Sequence, residues 1–227
     1  MRRLLWDVYA RCYDVVARLS PYERMVCEIV GEVPLQPGRV LDAGCGTGNL
    51  TRAVRARRPG EIVAVDLSPV MLERSRRKNP GVTHVRADLD GDLREVPGAF
   101  DVILCGNVLY AVTDPERTLA VLKSRLAPGG RLIVTTPRAG AGVTAILREH
   151  VRDRGVLSLG RIILPLLAVG AINVWLLGSA AHHFFTRDQL AALLGEAEIR
   201  ATYSEQAWLA VLPSPRDARP SRPRASS

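Results

Sequence analysis

The 227-residue chain reads as an α/β protein built on a seven-stranded, mostly parallel sheet with helices on both faces. Three observations predict this. Short apolar runs alternate with helical patterns between residues 39 and 136. A glycine turn, Gly44-x-Gly46-x-Gly48, joins the first of those runs to a helix. Apolar residues make up 47% of the chain, enough for the core of a single domain of this length.

Taken in order, Leu4 to Arg18 and Tyr22 to Val33 have helical spacing and are separated at Ser20-Pro21. Strands are predicted at Arg39–Asp42, Glu61–Val65, Val82–Arg86, Phe100–Cys105 and Gly130–Thr136. Helices are predicted between them at Asn49–Arg57, Pro69–Lys78 and Pro115–Leu126. Strands joined by crossover helices run parallel, and ligands of such sheets bind at the carboxyl ends of the strands. After Pro137 the rhythm changes. Residues 140–161 are basic with a helical pattern, and Ile162 to Thr186 carries no charge. Thr186 opens a further helix through Leu194, and Glu198–Tyr203 and Ala207–Leu212 complete the sheet, antiparallel in part. One domain is therefore expected over 1–212, with a helical lid at 1–33 and an apolar helical cap at 138–186. A basic tail, 213–227, is rich in Pro, Arg and Ser and is expected to be disordered.

The glycine turn brings bare backbone against a ligand. Asp42 stands just before it and would repel a pyrophosphate, whereas it suits a ligand that is cationic there. S-adenosyl-L-methionine, with an ammonium and a sulfonium and no phosphate, is such a ligand. Asp66 ends the second strand 22 residues beyond Gly44, where an acidic side chain accepts hydrogen bonds from ribose hydroxyls. Asp88 follows the third strand, placed to read an adenine amino group or else to serve as an exposed turn residue.

Val40-Leu41-Asp42-Ala43-Gly44-Cys45-Gly46-Thr47-Gly48 resembles motif I of the class I S-adenosylmethionine-dependent methyltransferases. Val65-Asp66-Leu67-Ser68-Pro69, Phe100-Asp101-Val102-Ile103 and Leu126-Ala127-Pro128-Gly129-Gly130 follow in the family's order. Trp6-Asp7-x-Tyr9-Ala10 with Tyr13-Asp14 resembles the cofactor lid of the type 11 branch, which contains quinone and lipid methyltransferases. Val15-Val16-Ala17 and Thr135-Thr136-Pro137 depart from the quinone-ring enzymes. The resemblance covers residues 6–137 and resumes at 184–190. It implies a Rossmann-like methyltransferase fold and transfer of the sulfonium methyl group to a substrate nucleophile; the apolar stretch Ile162–Ala181 favours a hydrophobic small-molecule acceptor, such as a lipid or quinone. The resemblance implies cofactor contacts from Tyr13, Asp42, Gly44, Cys45, Gly46, Asp66, Leu67, Asp88, Leu89 and Asn107. Asn107, Tyr110 and Thr136 are pocket candidates on the reacting side, and His182 and His183 are candidate bases or else surface histidines. An NAD-dependent oxidoreductase and a non-catalytic cofactor-binding protein at a membrane are the alternatives.

Charge and composition bound the partners. The net charge is +8, of which the tail contributes +3; no basic stretch is interleaved with aromatics, so nucleic acid is not expected. Four scattered cysteines suit reduced thiols and form no metal-ligand pattern. The start, Met1-Arg2-Arg3, leads into no apolar h-region, so no signal peptide and a cytoplasmic location are expected. Ile162–Ala181 is as apolar and long as a membrane span. A strand pair beyond it that rejoins the same sheet favours a buried lid or a membrane-dipping segment. Arg148, Arg152, Arg154 and Arg161 before it suit an anionic leaflet.

Overall fold

The computed structural model describes residues 10, 13–160, 162–164, 166–167, 170 and 182–213. Its sheet has seven strands: β1 (Arg39–Ala43), β2 (Glu61–Asp66), β3 (Thr83–Arg86), β4 (Phe100–Gly106), β5 (Leu126–Pro137), β6 (Glu198–Thr202) and β7 (Ala207–Pro213). Their order is β3-β2-β1-β4-β5-β7-β6. Strands β1 to β5 pair in parallel, and β7 runs antiparallel to both β5 and β6. The strand order reverses between β1 and β4, which makes that edge the switch point where a ligand crevice forms.

Helices are α1 (Ser20–Glu32), α2 (Asn49–Val54), α3 (Pro69–Lys78), α4 (Pro115–Ser124), α5 (Val143–Arg154), the single turn α6 (Leu157–Gly160) and α7 (Arg187–Leu194). Side chains alternate across each strand, so one strand feeds two cores. Val40, Val102, Leu104, Ile133 and Leu209 pack with α1, α2 and Met71 of α3 on one face. Leu41, Ile103, Cys105, Leu132 and Val134 pack with α4 and α7 on the other. Helix starts follow local chemistry. The Ser68 hydroxyl accepts from the Met71 amide at 3.1 Å ahead of Pro69, and the Asp114 carboxylate accepts from the Arg117 amide at 3.0 Å ahead of Pro115. Thr186 and Gln189 form a reciprocal capping box at α7.

Element boundaries differ from expectation most in three places, and by a residue or two in several others. Of the predicted helix Leu4–Arg18, the described Ala10 and Tyr13 are helical, but its end is a turn and a 3₁₀ segment, Val16–Arg18, ahead of Pro21 in the first turn of α1. The predicted helix Asn49–Arg57 is α-helical only to Val54 and closes in a 3₁₀ turn ending at Arg58, φ 53°. Strand β5 starts at Leu126, four residues early, because Leu126 pairs with Phe100 ahead of the Pro128-Gly129-Gly130 turn. Of Ile162–Ala181, residues 163–164, 166–167 and 170 are helical, and 171–181 lie outside the described residues, as do Trp6–Tyr9 and 214–227 of the tail. No helix among the described residues is long and apolar enough to cross a membrane.

Candidate functional site

A cavity of about 720 Å³ opens at the carboxyl ends of β1, β2 and β4 and is walled by α1 and α5. The β1–α2 turn forms its floor. Gly44, Gly46 and Gly48 all have positive φ, 78°, 53° and 81°. At Gly48 an added Cβ would lie 2.3 Å from Ser75 Oγ and 2.4 Å from Asn79 Nδ2, so glycine there lets α2 close on α3. At Gly46 an added Cβ would meet no atom within 4 Å: the space above this residue is a cradle rather than a packing contact.

Carboxylates surround that cradle. Asp66 accepts the Gly46 amide at 2.8 Å through Oδ2 and the Ser68 amide at 2.9 Å through Oδ1, tying the ends of β1 and β2 together. Asp42 is 1% exposed and accepts the Thr51 hydroxyl at 2.5 Å. Burial, with the Asp66 charge adding to it against the Thr51 bond, pushes the Asp42 carboxyl up to about 6. Burial, with Asp42 and Asp66, also pushes the Cys45 thiol up, so it is a neutral wall. Asp88 is exposed, and its Oδ1 accepts the Asp90 amide at 3.0 Å; Asp90 in turn accepts from the Thr113 amide and hydroxyl at 2.7 and 2.9 Å. Asp42, Asp66, Asp88 and Asp90 all line the cavity, and no lysine or arginine does so among the described residues.

A second set of contacts seats the amino-terminal segment. Asp14 accepts the Thr47 hydroxyl at 2.5 Å and the Lys78 ammonium at 2.6 Å; Lys78 also reaches Asn49 at 2.9 Å. Burial raises the Asp14 carboxyl, but Lys78 and Thr47 outweigh it and hold it below the ordinary carboxylate value. This buckle places Tyr13 on the cavity wall.

Tyr13, Asp42, Gly44, Cys45, Gly46, Asp66, Leu67, Asp88, Leu89 and Asn107, expected from the sequence, all line the one cavity. Asn107 sits at the end of β4 with φ 53°; its amide donates to Thr135 O at 2.9 Å, and its side-chain Oδ1 is buried with no hydrogen-bond partner among the described residues. Tyr110 and His182 are also on the wall, with ring centroids 5.7 Å apart, and burial pushes the Tyr110 hydroxyl up to about 12. Two expected residues are not. His183 donates its amide to Tyr110 O at 2.8 Å and stacks its ring 6.3 Å from Phe185, away from the cavity. Thr136 is buried off the cavity, because alternate residues of β5 face opposite sides; Thr135 and Pro137 line it instead.

Sequence reasoning missed the upper wall. Tyr22, Met25 and Ile29 of α1, Ile146 and Leu147 of α5, and Tyr203 with Gln206 from the β6–β7 turn complete it. The turn takes positive φ at Tyr203, Ser204 and Glu205, which swings the Tyr203 ring to 6.3 Å from that of Tyr22, edge-on. The apolar spacing of α1 marked a buried face, but no local signal linked it to residue 203.

The described donor set, all carboxylate and neutral, fits a ligand with cationic sulfur and nitrogen and no phosphate. Comparison with known proteins agrees. Residues 7–202 match the sequence profile of the family described as a methyltransferase domain. A trans-aconitate 2-methyltransferase of Methylobacterium radiotolerans is 34% identical over 178 residues, covering 70% of this chain and 68% of that protein. A ubiquinone biosynthesis O-methyltransferase of Xylella fastidiosa is 37% identical over 108 residues, 46% of this chain and 44% of its own. The chain spans between 24% and 68% of the length of the first three curated relatives it matches. The crystal structure of the N-methyltransferase NodS of Bradyrhizobium japonicum with S-adenosyl-L-homocysteine superposes with a TM-score of 0.58 at 14% identity, over 87% of this chain and 89% of that one; it shares the fold. The chain belongs to the methyltransferase-domain family, the class I S-adenosylmethionine-dependent methyltransferases.

Proposed function

We propose that this protein transfers a methyl group from S-adenosyl-L-methionine to a neutral, hydrophobic small molecule of the lipid or quinone type. One observation carries the reading: the cavity has an acidic floor and an aliphatic roof. The floor holds Asp42, Asp66, Asp88 and Asp90, and the roof is built from Leu19, Met25, Ile29, Ile146, Leu147 and Leu166. An anionic acceptor would meet the four carboxylates with no cation among the described lining residues, whereas an aliphatic body is desolvated favourably at the roof. A relative named for ubiquinone biosynthesis agrees with this class of acceptor.

In this reading Asp66 holds the ribose hydroxyls, Asp88 and Leu89 flank the adenine, and Asp42 with the Gly44–Gly46 backbone faces the methionine end. Tyr13 covers it, and Asn107 offers its unpartnered Oδ1 at the boundary between cofactor and acceptor. The bound cofactor supplies a sulfonium methyl for in-line attack, a reaction that depends chiefly on alignment. Residues 1–33 and 138–186 serve as lids that exclude water. Where the acceptor must shed a proton, His182 on the wall is the candidate base. The protein works in the cytoplasm, in peripheral contact with an anionic membrane.

Calorimetric titration with S-adenosyl-L-methionine and with NADH tests the cofactor half. The methyl donor binds, NADH does not, and Asp66→Ala weakens the donor about 100-fold, as loss of two charge-assisted bonds implies. Incubation with methyl-labelled cofactor and a lipid extract tests the acceptor half. Label enters an organic-soluble product; label confined to water-soluble anions, or no product, sinks the reading.

A further inference from the structure

We propose that Val156, Leu157, Leu164 and Leu167 form a docking surface for an anionic lipid bilayer, and that the cavity mouth opens onto it. The proposal rests on the hydrophobic-acceptor reading and names the route by which such an acceptor enters. These four side chains are 66%, 87%, 76% and 61% exposed, within twelve residues of sequence. Single exposed aliphatics are common on protein surfaces, but clustered ones mark an interaction site.

The patch and the cavity share residues. Leu167 and Ile163 line the cavity and are also exposed, as is Val143 at the start of α5. The rim is thus aliphatic on both its inner and outer sides, so an apolar acceptor passing through it stays out of water.

The surrounding charge selects the occupant. Residues 156–186 contain a single charged residue, Arg161, and no acid. On the adjoining α5, Arg148 and Arg152 are exposed one turn apart, Arg152 at 74%. The acids beside them are engaged in ion pairs: Glu149 bonds Arg24 and Ser204 and lies 3.6 Å from Arg152, and Asp153 bonds Arg24 and Ser20 and lies 3.7 Å from Arg152. Exposed arginines whose neighbouring acids are already engaged by Arg24, set beside exposed aliphatics, suit an anionic leaflet. A second copy on a two-fold axis would set this arginine pair against itself, which disfavours self-association.

Flotation of the full chain with phosphatidylglycerol–phosphatidylcholine vesicles, against phosphatidylcholine alone, tests the surface. The protein floats with the anionic vesicles, and about 0.5 M salt releases most of it. Leu157→Ser with Leu164→Ser lowers partitioning at least about tenfold. Arg148→Gln with Arg152→Gln lowers it roughly 25-fold. None of these four side chains bonds the cofactor floor, so calorimetric affinity for S-adenosyl-L-methionine stays at the wild-type value and reports an intact fold. In Leu164→Trp, the added fluorescence is quenched by acyl-brominated lipid. Wild-type protein that fails to float, double variants that float as well as wild type, unquenched added fluorescence, or a concentration-dependent dimer abolished by Leu164→Ser each overturn the proposal. Flotation reads no turnover, so a water-soluble acceptor found in the transfer assay would sink the earlier reading independently.

Discussion

Asp42 carries the sharpest pH prediction at the scale of one residue. Burial raises its carboxyl to about 6, above the ordinary 3.8, so in the ligand-free protein its contribution to stability is intact below 3.8 and lost as pH rises through 6. A cationic ligand selects the carboxylate and reverses that penalty. Affinity for S-adenosyl-L-methionine is therefore level above pH 6 and weakens as pH falls below it, approaching tenfold per unit. Calorimetry across pH 5 to 8 checks this, and Asp42→Asn flattens the profile at a lower affinity. Asp42, Asp66 and the glycines were legible in the sequence because they lie in one contiguous strand–turn–helix and at the end of the next strand. Thr136 and His183 were misplaced because a one-residue offset decides which face a side chain takes, and spacing does not fix that offset.

Among elements, the contact between α1 and α5 is the most consequential. Ser20 donates its amide to His150 Nδ1 at 3.1 Å, and His150 Nε2 lies 3.1 Å from the Ser158 hydroxyl. Arg24 pairs with Glu149 and Asp153, and Arg154 with Glu23. An imidazole accepting at Nδ1 must be unprotonated there. Burial and then Arg154 hold its titration below the ordinary 6.5, with Asp153 and Glu23 opposing. A depressed histidine contributes stability that is complete above 6.5 and lost as pH falls through its folded-state value. With the intrinsic exchange rate divided out, protection of the Ser20 amide should therefore fall as pH drops from 7.5 to 5, and His150→Gln should remove that pH dependence. The sequence located both helices from helical spacing and the Ser20-Pro21 break, but it could not pair them: Ser20 and His150 are 130 residues apart.

For the molecule as a whole, the cavity joins two halves with different chemistry, and a change in one should leave the other intact. Leu147→Gln puts an amide into the aliphatic roof. It should raise KM for a lipophilic acceptor about tenfold, the cost of one poorly desolvated polar group, while calorimetry finds the cofactor affinity unchanged. A parallel loss of cofactor binding would mean that the two halves are not separable.

The sequence by itself determined the seven strands, most of the helices around them and the residues that form the acidic floor of the cavity. Each of these is written in short-range periodicity, caps and a nine-residue turn, which local sterics and hydrogen bonding enforce wherever the chain ends up. Only the tertiary structure decided the upper part of the cavity. Its walls come from α1, α5 and the β6–β7 turn, segments more than a hundred residues apart in part, and they meet because the sheet and the arginine–carboxylate contacts bring them together. Apolar spacing says that a face is buried; which other face buries it depends on long-range packing, and there the upper wall of the cavity is set.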